Sequence, residues 1–165
     1  MSMAVQTNYS FGFSKGVAGG LLDLSAHDVV TRQAEGDGIA FGLGVVVGTN
    51  KGSDVKIPAA GAVASDFEGV VVHNSVMVEK DMDNNVSIDS KCTVGCLHSG
   101  RIWVQTGANA APAYKEKVYL ITDGKETGMF TTSADSATKV EVNAIFLGET
   151  DDGIANAEFR PGTVE

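Results

Sequence analysis

Short apolar runs separated by turn signals follow one another along most of the chain, from about Gly38 to the C-terminal region. Such runs are typical of β-strands, and no window shows the repeat of a long amphipathic helix. We therefore predict an all-β, antiparallel fold, built as a β-barrel or sandwich. The predicted strands are Ile39–Val47, Val55–Ile57, Phe67–Val72, Val76–Glu79, Val86–Ile88, Lys91–Leu97, Arg101–Gln105, Lys117–Ile121, Met129–Thr132 and Lys139–Leu147.

Residues that favour turns lie between these runs. Gly and Asn tolerate a positive φ, and Asp and Ser side chains bond their own backbone, so the turn chemistry agrees with the strand pattern. The predicted turns are Gly48–Gly52, Asp83–Asn85, Ser99–Gly100, Thr122–Lys125 and Thr150–Gly153.

The run Lys139–Leu147 shows which faces are buried. Polar and apolar residues alternate at its start, which predicts that Val140 and Val142 face the core. Every position is apolar in Ala144–Leu147, which predicts cover on both faces, by a second sheet or by a neighbouring subunit. Lys117–Ile121 and Val70–Val72 have a similar pattern.

The N-terminal residues, 1–37, have a different pattern. Tyr9, Phe11 and Phe13 alternate with small polar residues, and the glycine-rich stretch Gly16–Gly20 follows as a flexible joint. Leu21–Gln33 then favours extended structure, because β-branched pairs and glycines oppose a helix. We predict an N-terminal arm over residues 1–37 and a β domain over residues 38–165. Such an arm needs a surface to lie on, either its own barrel or a partner.

The length and net charge of the chain limit the classes of partner that it can have. A chain of 165 residues fits one domain that can bury a core without disulfides. The net charge of −9 repels phosphate backbones, so we expect no nucleic-acid partner. No apolar run approaches the roughly 20 residues that span a bilayer, and the start lacks the pattern of a signal peptide, so we expect no membrane partner. Two cysteines agree with synthesis in a reducing cytoplasm.

Two stretches contain metal-ligating residue types, but neither completes a site. Cys92, Cys96 and His98 lack the fourth ligand of a structural zinc site, which favours buried thiols. The stretch Asp81–Asn85 opens like a calcium loop, yet Val86 stands where that loop needs glycine, and Cys92 stands where it needs glutamate. We therefore expect no metal and no cofactor.

Catalytic patterns are incomplete as well. A hydrolase needs a nucleophile beside His27, His73 or His98, and the sequence contains no Gly-x-Ser-x-Gly elbow. The glycines of Gly42–Gly48 have the wrong spacing for a dinucleotide site, and a β-branched run follows where the helix should begin. These observations predict a protein that is not an enzyme.

Eight stretches share a pattern of apolar and glycine positions: Gly19–Leu24, Asp28–Arg32, Ile39–Val45, Phe67–Val72, Gly95–Leu97, Gly100–Gln105, Ala113–Leu120 and Asn143–Leu147. Together these stretches resemble the cement (decoration) proteins of tailed-bacteriophage capsids. The resemblance covers most of residues 16–147 and depends on those apolar and glycine positions. One departure is Ala113–Glu116, which replaces the glycine-acid turn expected before Val118.

The resemblance implies a structural subunit that is made in the host cytoplasm and resides in the virion, on the capsid exterior. It would bind assembled major capsid protein and stabilise the shell. From the apolar arm we predict the partner-binding residues, and from the symmetry of shells a homo-oligomer, dimer or trimer. A phage tail or fibre-associated β module remains an alternative, followed by a carbohydrate-binding or hydrolytic β-domain. The predicted partner-binding residues are Tyr9, Phe11, Phe13, Leu21, Leu22, Val29 and Val30.

Overall fold

The computed structural model describes residues 16–74, 79–80, 86–134 and 138–162. These residues form eleven β-strands and one short 3-10 helix, Ala64–Asp66, so the predicted all-β class is confirmed. None of their helices is long and apolar enough to cross a membrane. The strands are β1 Asp28–Ala34, β2 Gly44–Val47, β3 Asp54–Lys56, β4 Phe67–Val71, β5 Glu79–Lys80, β6 Val86–Ser87, β7 Thr93–Gln105, β8 Lys117–Ile121, β9 Phe130–Thr131, β10 Lys139–Phe146 and β11 Ile154–Phe159.

Five strands close into a barrel, in the order β1-β3-β2-β4-β7, with β7 pairing back to β1. The pairings are antiparallel except for β1 with β3, which is parallel over Gln33–Asp54 and Ala34–Val55. Closure leaves the barrel without a free edge. Barrel formation therefore confirms one of the two predicted architectures.

The second sheet grows from the same long strand, in the order β7-β11-β10-β8-β9. Strand β7 has thirteen residues. Its pairing partner changes from β1 to β11 between Ser99 and Gly100. Ser99 pairs with Asp28 of β1, whereas Gly100 pairs with Phe159 of β11. The predicted turn at Ser99–Gly100 is therefore wrong, because the glycine marks the point where one continuous strand passes between sheets.

Two apolar cores result from this arrangement. The barrel interior holds Ile39, Val45, Val55, Val71 and Cys96, all fully buried. The outer sides of β2 and β4 pack against the second sheet in a larger core, which includes Phe130 and Phe146. Strands β2 and β4 are therefore covered on both faces, as the uninterrupted apolar run of Val70–Val72 predicts.

Strand β10 follows the predicted alternation closely. Val142, Ala144 and Phe146 are buried, while Val140 and Ile145 are half-buried. Strand β11, Ile154–Phe159, was not predicted, since its inward residues include two alanines and give a weak apolar signal. The loop Asp83–Asn85 lies outside the described residues, and so does most of the predicted strand Val76–Glu79.

Candidate functional site

The predicted partner-binding residues lie in two places. Tyr9, Phe11 and Phe13 lie outside the described residues. Leu21 forms an isolated bridge with Ile102 of β7 and packs against the larger core, and Leu22 beside it is half-buried. Val29 and Val30 belong to barrel strand β1. Val29 is 40% exposed, and Val30 packs against the barrel interior.

Strand β1 contributes the end of the predicted arm to the body of the protein. Its residues Val29 to Gln33 pair with Leu97 to Thr93 of β7, in antiparallel register. Arg32 also bonds the carboxylate of Glu68 on β4, at 2.7 and 2.8 Å. Residues 28–34 therefore hold three barrel strands together. The division at residue 37 stays a prediction, and residues 28–34 of the predicted arm belong to barrel strand β1.

The joint segment, Gly16–Leu22, runs along the outer half of β7. The amide of Gly19 donates to the carbonyl of Trp103 at 2.7 Å, and the amide of Trp103 donates back to Gly20 at 2.9 Å. The amide of Leu22 donates to Arg101 at 3.0 Å, which extends the pairing by two residues. The glycines expected to act as a flexible joint are thus hydrogen-bonded to the sheet.

A groove of about 400 Å³ lies beside the joint segment. Two aromatic residues, Trp103 from β7 and Tyr114 from the β7–β8 loop, share its lining with apolar and polar groups. Gly16 lies directly against the indole ring, so close that a Cβ there would stand 2.2 Å from Nε1 of Trp103. The full lining is Leu22, Asp23, Arg101, Trp103, Tyr114, Leu147 and Asn156.

Charges at one side of the groove are paired. Arg101 binds Asp23 through Nη1 and Glu158 through Nε, each at 3.0 Å, and Arg160 binds the same Glu158 at 3.3 Å. Hydrogen bonds from Ser25, followed by the one from Arg101, lower the pKa of Asp23. Hydrogen bonds to Glu158 and then Asp23 raise the pKa of Arg101. Both shifts favour the charged forms of Asp23 and Arg101.

Exposed apolar side chains lie in or near the joint segment. Leu24 is 94% exposed and Val17 is 57% exposed, while Tyr114 across the groove is 67% exposed. Large apolar groups left in water next to an aromatic groove are typical of surfaces that bind a partner. We call this face, with Val17, Leu24, Tyr114 and the groove beside them, the arm side, and it is the candidate binding surface.

The sequence reasoning missed Trp103, Tyr114 and Leu24 as surface residues. A signal for Trp103 was available, because Ile102 and Val104 beside it are fully buried and strand alternation places Trp103 on the opposite face. Tyr114 sits in the stretch Ala113–Glu116, where the sequence departs from the resemblance. Nothing in the local pattern indicated that this loop would lie beside Leu22.

A second cleft, of about 300 Å³, opens between the barrel and the second sheet. His98 stands there between two carboxylates, with Nε2 at 3.3 Å from Glu68 and Nδ1 at 3.8 Å from Asp28. Since Glu68 also pairs with Arg32, this cleft is bordered by a cross-strand charge network over β1, β7 and β4. Its groups satisfy one another, which is typical of a structural role.

The thiols show no sign of metal binding. Cys96 is fully buried in the barrel, Cys92 is partly buried, and both are free. Burial raises the pKa of Cys96 to about 12, which keeps the thiol protonated and unreactive. Within the described ranges no cluster of three metal-ligating side chains occurs. The predicted calcium-like stretch Asp81–Asn85 lies outside those ranges.

The fold is that of an all-β protein in which a barrel and a second sheet share one long strand. The family described as "Structural cement protein (E217 gp24/Pam3 gp6)", from bacteriophages, matches residues 5–160. The chain therefore belongs to the phage structural cement protein family, and the resemblance noted in the sequence is confirmed. No curated protein matches the sequence.

A solved structure described as "The capsid of Myoviridae Phage XM1" contains a chain with the same fold. The TM-score is 0.72 at 20% sequence identity, and the match covers 96% of this chain and 98% of that chain. At this identity the likeness is one of fold. The family match and the capsid neighbour agree with the predicted function, a structural protein of a phage virion that stabilises the capsid.

Proposed function

We propose that this protein binds assembled major capsid protein from the outside of the shell, and that it does so as a homo-oligomer, dimer or trimer. The observation that carries the proposal is the arm side, where exposed apolar groups lie next to a joint segment hydrogen-bonded to β7. A rigid body with such a surface suits a subunit that ties neighbouring capsid proteins together. We infer no catalytic step, and no nucleic-acid partner, given the charge of −9.

The predicted partner-binding residues divide by exposure in this proposal. Tyr9, Phe11 and Phe13 supply aromatic contacts from the arm. Val29 is exposed and Leu22 is half-buried, whereas Leu21 and Val30 pack against the cores. Exposed Leu24 and Val17 extend the apolar surface, although the sequence did not single them out.

The energetics favour attachment to a preformed surface. Burial of an apolar or aromatic side chain contributes roughly 1.5–3 kcal/mol, so three arm aromatics can offset the ordering of the residues that carry them. Several weak arms acting from one oligomer would add avidity on a symmetric shell. We therefore expect retention to fall steeply when the arm aromatics are removed together.

The test uses full-length protein with Tyr9, Phe11 and Phe13 all replaced by alanine. Deletion of residues 1–33 would remove most of β1 and open the barrel, so substitution is the cleaner change. Co-sedimentation with capsids that lack the cement subunit should show tight retention of the unmodified protein and at least tenfold weaker retention of the variant. Equal retention of a folded variant would remove the arm aromatics from the mechanism.

A matched control replaces Val63, which is 54% exposed and lies beside the 3-10 helix, by alanine. Its retention should match the unmodified protein. Analytical ultracentrifugation of the free protein tests the oligomer separately, and a monomer at all concentrations would contradict that part of the proposal.

A further inference from the structure

Three Asp-Gly dipeptides occur in the chain, and each lies in a turn or loop. In such a dipeptide the amide nitrogen of the glycine can attack the aspartate carboxyl, because glycine has no Cβ to obstruct the approach. Whether a given dipeptide reacts depends on how the fold holds these two groups relative to each other. The dipeptides are Asp37 with Gly38, Asp123 with Gly124, and Asp152 with Gly153.

The turn between β8 and β9 holds the reacting groups of Asp123 and Gly124 in contact. The amide of Gly124 donates to Oδ1 of Asp123 at 2.8 Å, so the nitrogen already lies beside the carboxyl group that it would attack. Gly124 has φ +92° and nothing within 4 Å of its Cβ position, which leaves space for ring closure. Both residues are exposed, so water reaches them. Groups held in contact within one chain react far faster than the same groups at random separation.

The other two dipeptides are held differently. The carboxylate of Asp37 is bonded to a separate segment, because its Oδ1 accepts from the amide of Ser90 at 3.1 Å. In the third dipeptide the backbone is tied down, because the carbonyl of Gly153 accepts from the amide of Thr106 at 2.9 Å. That bond limits the backbone rotation that ring closure needs. The fold therefore singles out Asp123 among three dipeptides of identical composition.

The turn is anchored below its tip, so the tip can change without disturbing the core. The amide of Gly128 donates to the carbonyl of Ile121 at 2.8 Å, and the amide of Ile121 donates to Met129 at 2.9 Å. The carbonyl of Gly128 also accepts from the amide of Gly44 at 2.8 Å, which ties the turn to β2. An extra main-chain atom at the tip would therefore lengthen only an exposed loop.

We propose that Asp123 is a site of spontaneous self-modification, at which the chain converts aspartate to isoaspartate with water as the only co-reactant. In the first step the nitrogen of Gly124 forms a bond to the protonated carboxyl carbon of Asp123, and the C–OH bond breaks. The hydroxyl leaves with the amide proton as water, and a five-membered succinimide ring remains.

In the second step water adds to one of the two ring carbonyls and breaks its bond to nitrogen. Opening at the main-chain carbonyl leaves the chain running through the side-chain carboxyl, which is isoaspartate, whereas opening at the other carbonyl restores aspartate. The water released in the first step is regained in the second. The net reaction is an isomerisation without oxidation, reduction or change of mass.

The test follows isoaspartate in the full-length protein during weeks of incubation at physiological temperature in neutral buffer. Trypsin places the three dipeptides in three different peptides, because lysines lie between them in the sequence. Liquid chromatography separates an isoaspartyl peptide from its parent, and methyl transfer from S-adenosylmethionine by an isoaspartyl methyltransferase identifies it independently. We expect isoaspartate to accumulate at residue 123 several times faster than at residues 37 and 152.

Two variants test the chemistry at the site. Asp123→Ser removes the carboxyl and should abolish the modified peptide, with unchanged circular dichroism and thermal unfolding, because the residue is exposed. Asp123→Asn passes through the same succinimide with loss of ammonia instead of water. It should form isoaspartate at the same position and faster, because a neutral amide is a better electrophile than a carboxylate.

Unfolded protein separates the effect of the fold from that of the dipeptide. In guanidinium chloride the three dipeptides lose their different contacts, so their rates should become similar. Native protein in which residue 37 or 152 isomerises as fast as residue 123 would overturn the proposal, and so would an unchanged Asp123 peptide after incubation. The same ranking of the three rates after unfolding would overturn it as well, because flanking residues rather than the fold would then decide.

Discussion

Gly19 is the position where the joint segment depends most on a missing side chain. Its φ is +77°, and a Cβ there would lie 2.7 Å from the carbonyl oxygen of Val71 and 2.8 Å from the amide nitrogen of His73. Both atoms belong to the backbone and cannot rotate away. Gly19 also donates to Trp103 and accepts from His73, each at 2.7 Å. We therefore expect Gly19→Ala to push the joint segment off the sheet.

The expected loss of stability has three contributions, and a matched variant separates the first of them from the other two. A left-handed φ costs a non-glycine residue about 1–2 kcal/mol. Overpacking against fixed backbone costs about 1–3 kcal/mol more, and each weakened hydrogen bond adds about 1 kcal/mol. Gly52, in the turn after β2, has φ +81° and nothing within 4 Å of its Cβ position. Gly52→Ala therefore measures the cost of φ alone.

Urea unfolding of both variants, followed by circular dichroism, measures the difference in the free energy of unfolding. We expect Gly19→Ala to be less stable than Gly52→Ala by about 2–4 kcal/mol, which corresponds to about 5–15 °C in Tm for a chain of this size. Trp103 fluorescence should change in Gly19→Ala only, since the joint segment covers that ring. Equal losses in the two variants, within about 0.5 kcal/mol, would refute the close-packing argument.

Two further predictions concern the cores. Phe130 is fully buried and packs edge-on against Phe67 and Phe159. Phe130→Ala should therefore lower the free energy of unfolding, measured in urea, by about 3–5 kcal/mol. A loss under about 1 kcal/mol would contradict this packing. Because the pKa of Cys96 is raised to about 12 by burial, the unfolded chain releases its proton first, near pH 9, and stability should fall as pH rises from 9 towards 12. Between pH 8 and 10.5 the unmodified protein should lose about 2 kcal/mol more than Cys96→Ala, and parallel stability curves of the two proteins would contradict the assignment.

The sequence predicted the strands whose inward positions carry large β-branched or aromatic residues. Strand β4 with Val70 and Val71, and strand β10 with Val142 and Phe146, were predicted because alternation and continuous apolar runs depend on local chemistry. Strand β11 was missed, because Ala155 and Ala157 bury little apolar area. Pairing with β7 holds these residues in the sheet. The parallel pairing of β1 with β3 depends on barrel closure, which no local pattern encodes.

The candidate site was predictable only in part for the same reason. Leu22 was named from its apolar character, but the groove forms where Leu22, Trp103 and Tyr114 meet, and these residues come from three separate parts of the chain. Their meeting depends on the register between the joint segment and β7, set by the bonds of Gly19 and Leu22. A single sequence carries the composition of such a surface but not its register.

The long strand β7 links the two cores to the arm side. Its first half pairs with β1 and β4 in the barrel, and its second half pairs with β11 and, at its outer edge, with the joint segment. A load applied to the arm or the groove passes through those backbone bonds into a strand buried between two cores. Because separating that strand would break both sheets at once, force is spread over many hydrogen bonds that must fail together. In the proposed attachment through the arm side, this connection would join the bound surface to both cores.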